Sequence, residues 1–286
     1  ASAFQHVIPT IRPWLTNAGY DVNVQLDGSV EGLRNLNGDG LIYYSGHGLP
    51  GKNHMALWST TPFDTVHVHQ YRAQKEAGYV AYGIGSTDRR PPPIPGGRGE
   101  VIWETRIVIT EKFVEKYWRP AAGALLYIDA CYSHDARLRN IALGDQVKAS
   151  AYLGWTERTL DDMAAGSARF FFDRTLGANS YGPYRNPPQR PFDGAAVLTA
   201  MATTKRRNGL AFDTSLKAIG FGVGIPDPAE AKLRLSLRNG ETSPVLRPGI
   251  AFARIAEIST PGWIELQGSF GNTPGTVTLG GQPLTV

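Results

Sequence analysis

Two residues able to do nucleophilic chemistry stand just past the ends of two short apolar runs. Leu41-Ile42-Tyr43-Tyr44 leads into Ser45-Gly46-His47-Gly48, and Leu125-Leu126-Tyr127-Ile128 leads into Asp129-Ala130-Cys131-Tyr132-Ser133. A thiol is a poor nucleophile until it loses its proton. A neighbouring imidazole can take that proton and later return it to a leaving amine. Gly48 adds a third part: beside a residue without a side chain, a backbone N–H can point at a developing oxyanion together with the N–H of Cys131. Cys131 is the one cysteine of the chain, which rules out an intrachain disulfide as its purpose. A lone cysteine is more often an inert core residue, so the functional reading rests on the pairing with His47.

Other chemistry-bearing residues are weaker candidates. His67-x-His69, read as part of a strand, would project two imidazoles from one face, but there is no H-E-x-x-H or cysteine pair to complete a zinc site. Gly220-x-Gly222-x-Gly224 lacks the following helix of a dinucleotide fingerprint. His134 is close to Cys131 in sequence and is expected to be solvent-exposed in the loop after it.

The apolar runs, short and bounded by glycines, fit buried parallel strands, and residues just past such strands share one sheet edge where ligands bind. Further strands are expected at Asp21–Leu26, Val101–Ile109 and Ala149–Trp155. Helices are expected over residues 3–18 (weakened by Pro9 and Pro13), Val30–Leu36, from Thr110 as cap, Leu160–Leu176 and Phe192–Arg206. This alternation predicts an α/β fold to about residue 225. Gly85–Glu100 and Gly177–Pro191, rich in proline and glycine, read as surface loops. After Pro226 the pattern changes: residues 231–237 alternate strictly and Asn239-Gly240 signals a hairpin. Residues 226–252 thus read as a β-rich linker.

The 286 residues can bury a real core, with 42% hydrophobic and 19% charged residues, as in an ordered globular protein. The net charge of +4 is mild and scattered, so nucleic acid is not an expected partner. No apolar run is long enough for a membrane-spanning helix. The opening Ala1-Ser2-Ala3 reads as a processed or excised product, and the compartment, cytoplasmic or secreted, stays open.

An apolar strand ending in His-Gly, followed by one ending in Ala-Cys, resembles the caspase-like peptidases, and the SGHG and DACYS strings are most similar to the metacaspase, clostripain-like, gingipain and CHAT-type branches. The resemblance covers residues 1 to about 225 and extends through ASAYLGWTERTLDDMAAGSARFFFDRTL. It implies an α/β/α sandwich and a cysteine endopeptidase with His47 as base, Cys131 as nucleophile, and Gly48 and Cys131 as oxyanion donors. It also implies a pocket for Arg or Lys floored by Asp129, with Trp155, Asp161 and Asp162 as further substrate-binding candidates and a protein or peptide as substrate. No cofactor or metal is called for, and calcium dependence is left open. The chain departs from the family in a longer His–Cys spacing, through residues 49–100, and in beginning at the first helix. Self-cleavage between the two motifs, at Arg89–Arg90 or Arg98–Gly99, would suit both the family and the Gly85–Glu100 loop. Residues 253–286 resemble the start of an IPT/TIG immunoglobulin-like domain through IAEISTPGWIELQGSFGNTPGTVTLGG, which implies further domains in a longer parent chain. Two other readings remain: a catalytically silent caspase-like interaction module, and a non-proteolytic thiol hydrolase on the same scaffold.

Overall fold

The two apolar runs form adjacent parallel strands, β1 (Leu41–Ser45) and the later Leu125–Asp129, paired in register from Leu41↔Leu125 to Ser45↔Asp129. In a computed structural model of the chain, residues 7–26, 28–90, 100–178, 193–216, 230–247, 249–255, 264–269, 278–279 and 282–283 are described. Before β1 come α1 (Ile8–Asn17) and α2 (Val30–Arg34). After it follow β2 (Gly48–Pro50), β3 (Met55–Pro62), α3 (Thr65–Gln70), α4 (Arg72–Glu76), β4 (Val80–Arg90), β5 (Glu100–Thr110) and α5 (Glu111–Tyr117). Then come β6 (Leu125–Asp129), α6 (Ala136–Leu143), β7 (Ala151–Trp155), α7 (Asp161–Leu176), α8 (Gly194–Thr203), β8 (Thr214–Leu216) and β9 (Glu230–Leu237). The last described strands are β10 (Gly249–Ile255), β11 (Ile264–Ser269), β12 (Thr278–Leu279) and β13 (Gln282–Pro283).

The fold is mixed α/β. Its main sheet runs β1-β6-β7-β9-β8, parallel through β7 and antiparallel thereafter. Alternation along β6 sends Leu125 and Tyr127 into one core cluster with α1, α7 and α8, and Leu126 and Ile128 into a second with α2, α5 and α6. Helices therefore cover both faces, which explains why β6 and β7 read as continuous apolar runs.

Several expectations are corrected. Residues 230–237 are the fourth strand of this sheet rather than part of a linker: Ala231 and Leu233 are fully buried and Leu235 packs on the same core. The Asn239-Gly240 turn does form, with Gly240 at φ +82° and Glu241 N–H on Arg238 C=O at 3.0 Å, but no returning strand pairs with β9 there. Asp21–Leu26 alternates as expected yet joins no ladder. Residues 49–100, which the sequence did not place, supply most of a second sheet in the order β2-β3-β5-β4. The supposed loop from Gly85 is strand to Arg90, paired back onto Glu100–Glu104. Thr110 does not cap α5 with its side chain; the hydroxyl donates to Gly78 C=O at 2.7 Å instead. In α1 Pro9 sits in the first turn, where an N–H has no helical partner to lose, while Pro13 lies inside the helix and removes one bond from it. Leu176 is followed by Gly177 at φ +61°, a left-handed cap that ends α7. The glycine triplet 220–224 and the rest of Gly177–Pro191 fall outside the described residues beyond Ala178. In residues 253–286 the described segments are strands, with β10 paired to β11 and β12 to β13.

Candidate functional site

Parallel pairing brings the C-terminal ends of β1 and β6 to one sheet edge, where the Gly46 N–H donates to Asp129 C=O at 3.3 Å. Beyond it the two motifs touch. A Cβ built on Gly48 would stand 1.9 Å from the Cys131 carbonyl oxygen and 3.0 Å from its carbon, so no other residue fits without moving backbone. Trp58 N–H donates to His47 C=O at 3.0 Å, which turns that carbonyl toward β3. Strand alternation then turns the Gly48 N–H away from β3. The Cys131 N–H has no backbone acceptor among the described residues. Tyr132, directly after the cysteine, has φ +58°, a left-handed conformation that costs a non-glycine residue on the order of 1 kcal/mol. It is held there by its N–H on Glu157 C=O at 3.1 Å and by Asp135 N–H on its own carbonyl at 2.9 Å. Nothing in the sequence marks a tyrosine for this conformation.

The Cys131 thiol is half-buried and faces Thr159, whose N–H reaches Sγ at 3.4 Å and whose carbonyl lies 3.6 Å away. Burial pushes the thiol pKa up; the Thr159 N–H and Arg158 pull it down, while Asp161 and Asp129 add to the rise. Burial thus favours the protonated thiol over the thiolate. The His47 ring packs edge-to-face on Trp58 at 5.5 Å between centroids. Trp58 is fixed in turn by Tyr44, whose hydroxyl donates to its carbonyl at 2.6 Å, and by Gly85, where a Cβ would come within 2.8 Å of the indole. Trp58 was not singled out by sequence, because its place beside His47 depends on how β2 pairs with β3.

Asp129 is 3% exposed. Trp155 Nε1–H donates to Oδ1 at 2.7 Å and the Tyr43 hydroxyl to Oδ2 at 2.9 Å. Its pKa is raised to about 6, by burial foremost and in smaller part by Asp161, against the pull of these two neutral donors. Trp155 itself is fully buried, which corrects its assignment as a substrate contact: it orients Asp129 from within the core. Asp161, in the first turn of α7, is exposed. Partial loss of water raises its carboxyl foremost, while the His47 charge lowers it and Asp162 raises it. Asp161 therefore lies within electrostatic reach of His47, Cys131 and Asp129. Asp162 is exposed and its carboxylate accepts the Met163 N–H at 2.9 Å, a helix-start role.

Asp129 also sets a pH-dependent stability. The rise from an ordinary 3.8 to about 6 corresponds to ~3 kcal/mol. A carboxyl raised in the fold disfavours the folded state once it ionises, so this stability is present below about pH 4 and is lost as pH rises through about 6. Asp129→Asn, which keeps an acceptor for Trp155 and lets the Tyr43 hydroxyl turn to accept, is expected to be more stable than the parent at pH 8 by about 1–3 kcal/mol, with no gain at pH 4. Urea unfolding at both pH values checks this; equal effects at the two would contradict it.

His134 is half-buried rather than solvent-exposed, with Nε2 3.0 Å from Ser236 Oγ. Burial, then Arg139 and Arg234, lower its pKa to about 4. His67 and His69 lie on α3, not a strand, and residues two apart on a helix diverge. Asp64 takes the His67 N–H at 2.9 Å and its Nδ1 at 2.8 Å. Among the described residues no group of three or more His, Cys, Asp and Glu side chains is placed to hold a metal ion, and no helix is long and apolar enough to cross a membrane. Arg89 lies in β4 opposite Val101, and Arg98 falls outside the described residues. Comparison with family models, curated proteins and solved structures finds no match to this chain.

Proposed function

We propose that the chain is a cysteine endopeptidase on a caspase-like α/β/α scaffold, cutting after Arg or Lys. The observation that carries this reading is the contact between the two motifs, with Gly48 seated against the Cys131 carbonyl. In the reaction, the His47 imidazole takes the Cys131 proton and the thiolate attacks the scissile carbonyl carbon. The resulting oxyanion accepts hydrogen bonds from the backbone N–H groups of Gly48 and Cys131. His47 then gives its proton to the leaving amine, and water attacks the thioester to release the acid and the free thiol. The raised thiol supports a mechanism in which deprotonation accompanies attack, rather than a standing thiolate.

Two carboxylates with raised pKa near one thiol support a cationic partner. Asp129 is buried with both oxygens already taken by neutral donors, so it acts on a cation through its charge alone, while exposed Asp161 offers the direct contact for an incoming guanidinium. Turnover of a fluorogenic panel with Arg, Asp or Leu before the scissile bond tests the proposal. Arg is expected to lead Asp and Leu by at least about a hundredfold, as loss of a charge-assisted contact implies; equal turnover of the three would defeat the specificity.

The strand pairing of Arg89 changes the expected self-cleavage site. A bond inside a ladder cannot enter an active site in extended form without breaking that ladder. Cleavage is therefore expected after Arg98 and not after Arg89. Mass spectrometry of new termini checks this against Cys131→Ala, in which the nick should be absent.

A further inference from the structure

β6 and β7 run parallel as far as Ile128↔Gly154. At that last rung the hydroxyl of Ser133 bonds both strands. It donates to Ile128 C=O at 2.6 Å and accepts the Trp155 N–H at 2.9 Å. The Ser133 carbonyl accepts the Tyr152 hydroxyl at 2.6 Å, and the residue has no exposed surface. Gly154 leaves room for it: a Cβ there would come within 2.8 Å of Ser133 Oγ and 3.0 Å of the His134 nitrogen. A serine suits the position because one small hydroxyl both donates and accepts.

The turn that carries Cys131 hangs from this point. Ser133 N–H closes it on Ala130 C=O at 3.2 Å. On either side of Ser133 the backbone is stitched to β7 and its continuation, with His134 N–H on Trp155 C=O at 2.8 Å and Tyr132 N–H on Glu157 C=O at 3.1 Å. Thr159, whose N–H reaches the thiol, belongs to that same continuation. The place of the thiol therefore depends on how the turn is docked against β7. The left-handed Tyr132 adds strain that the docking must hold, since a strained backbone persists only where its surroundings fix it.

We propose that Ser133 is the positioning residue of the nucleophile: its hydroxyl pins the Cys131 turn to β7 and so sets the thiol and the Cys131 N–H in place for attack. The role in attack rests on the peptidase reading, whereas the docking of the thiol does not. Ser133→Ala leaves Ile128 C=O and Trp155 N–H without the hydroxyl they share, which loosens the turn and uncovers the thiol.

Two rates on the intact chain test this: alkylation of Cys131 by iodoacetamide and turnover of an arginyl peptide, both measured well below the melting temperature. In Ser133→Ala alkylation is expected to be at least about fivefold faster, because an uncovered thiol is both more accessible and more readily ionised. Turnover is expected to move the other way, with kcat lower by about 10²-fold and KM within about threefold. Tyr152→Phe, which removes only the bond to the Ser133 carbonyl, is expected to alkylate at least about threefold faster and serves where Ser133→Ala fails to fold. Thr175→Ala is the control. It loses a buried hydroxyl bonded to Phe171 C=O at 2.8 Å, about 21 Å along α7 from Asp161, so it lowers the melting temperature while both rates stay within about twofold. A parent that alkylates as expected but turns over no arginyl peptide would sink the peptidase reading, and the alkylation rates would still decide the docking. Alkylation of the folded variants at the parental rate, or faster alkylation with a parental kcat, would overturn the proposal.

Discussion

Replacing Cys131 or His47 with alanine is expected to lower turnover of an arginyl peptide by at least about three orders of magnitude while leaving the fold intact. In the proposed mechanism the nucleophile and its base act as one unit, so the double variant is expected to be no slower than either single one. His47 carries this weight because the thiol it serves is held protonated by burial and by the nearby carboxylates. His134→Ala is the control. Its imidazole, lowered to about 4 and placed against Ser236, makes a poor base, so turnover is expected to stay within about twofold. The opposite pattern, with His134→Ala inactive and His47→Ala active, would reassign the base.

Gly48→Ala has the second largest expected effect. The new methyl would stand 1.9 Å from the Cys131 carbonyl oxygen, where an ordinary carbon–oxygen contact needs about 3.3 Å or more. The obstacle is backbone, so β2 and the loop carrying the cysteine must separate by more than an ångström. The separation displaces one proposed oxyanion donor from the thiol it serves. Turnover is expected to fall about 10²- to 10³-fold, as on loss of an oxyanion-hole donor. Overpacking adds a loss of stability of roughly 1–3 kcal/mol. Steady-state kinetics beside thermal unfolding separates the two effects. A variant as active as the parent would remove Gly48 from the mechanism.

The sequence made the two strands that carry the motifs and their neighbour β7 legible and left the rest obscure. β1, β6 and β7 are apolar but for Ser45 and Asp129 at the ends of the first two, and a run of that kind has few other places to go. Asp21–Leu26 has an equally good strand pattern, but a strand also needs a partner, and alternation carries no information about one. Ser86–Arg90 failed for the converse reason: proline and glycine just after it suggested a loop, while pairing to β5 decided its conformation. His47, Gly48 and Cys131 could be singled out because each follows an apolar run, and Gly48 reaches the Cys131 carbonyl because those runs are parallel neighbours. Trp58 and Thr159 could not, since the place of Trp58 beside His47 depends on the pairing of β2 with β3 and that of Thr159 beside Cys131 on the loop after β7. Trp155 was misread because a tryptophan at a strand end gives no sign of whether its indole faces a pocket or the core.

Covalent labelling of the thiol tests the central claim most directly. The intact chain is treated with a peptidyl-arginyl chloromethylketone, and the adduct is mapped by mass spectrometry. The expected result is one adduct per chain, on Cys131, formed far more slowly in His47→Ala and far more slowly with the leucyl analogue. Labelling of Cys131 at equal rates in the parent and in His47→Ala would contradict the account.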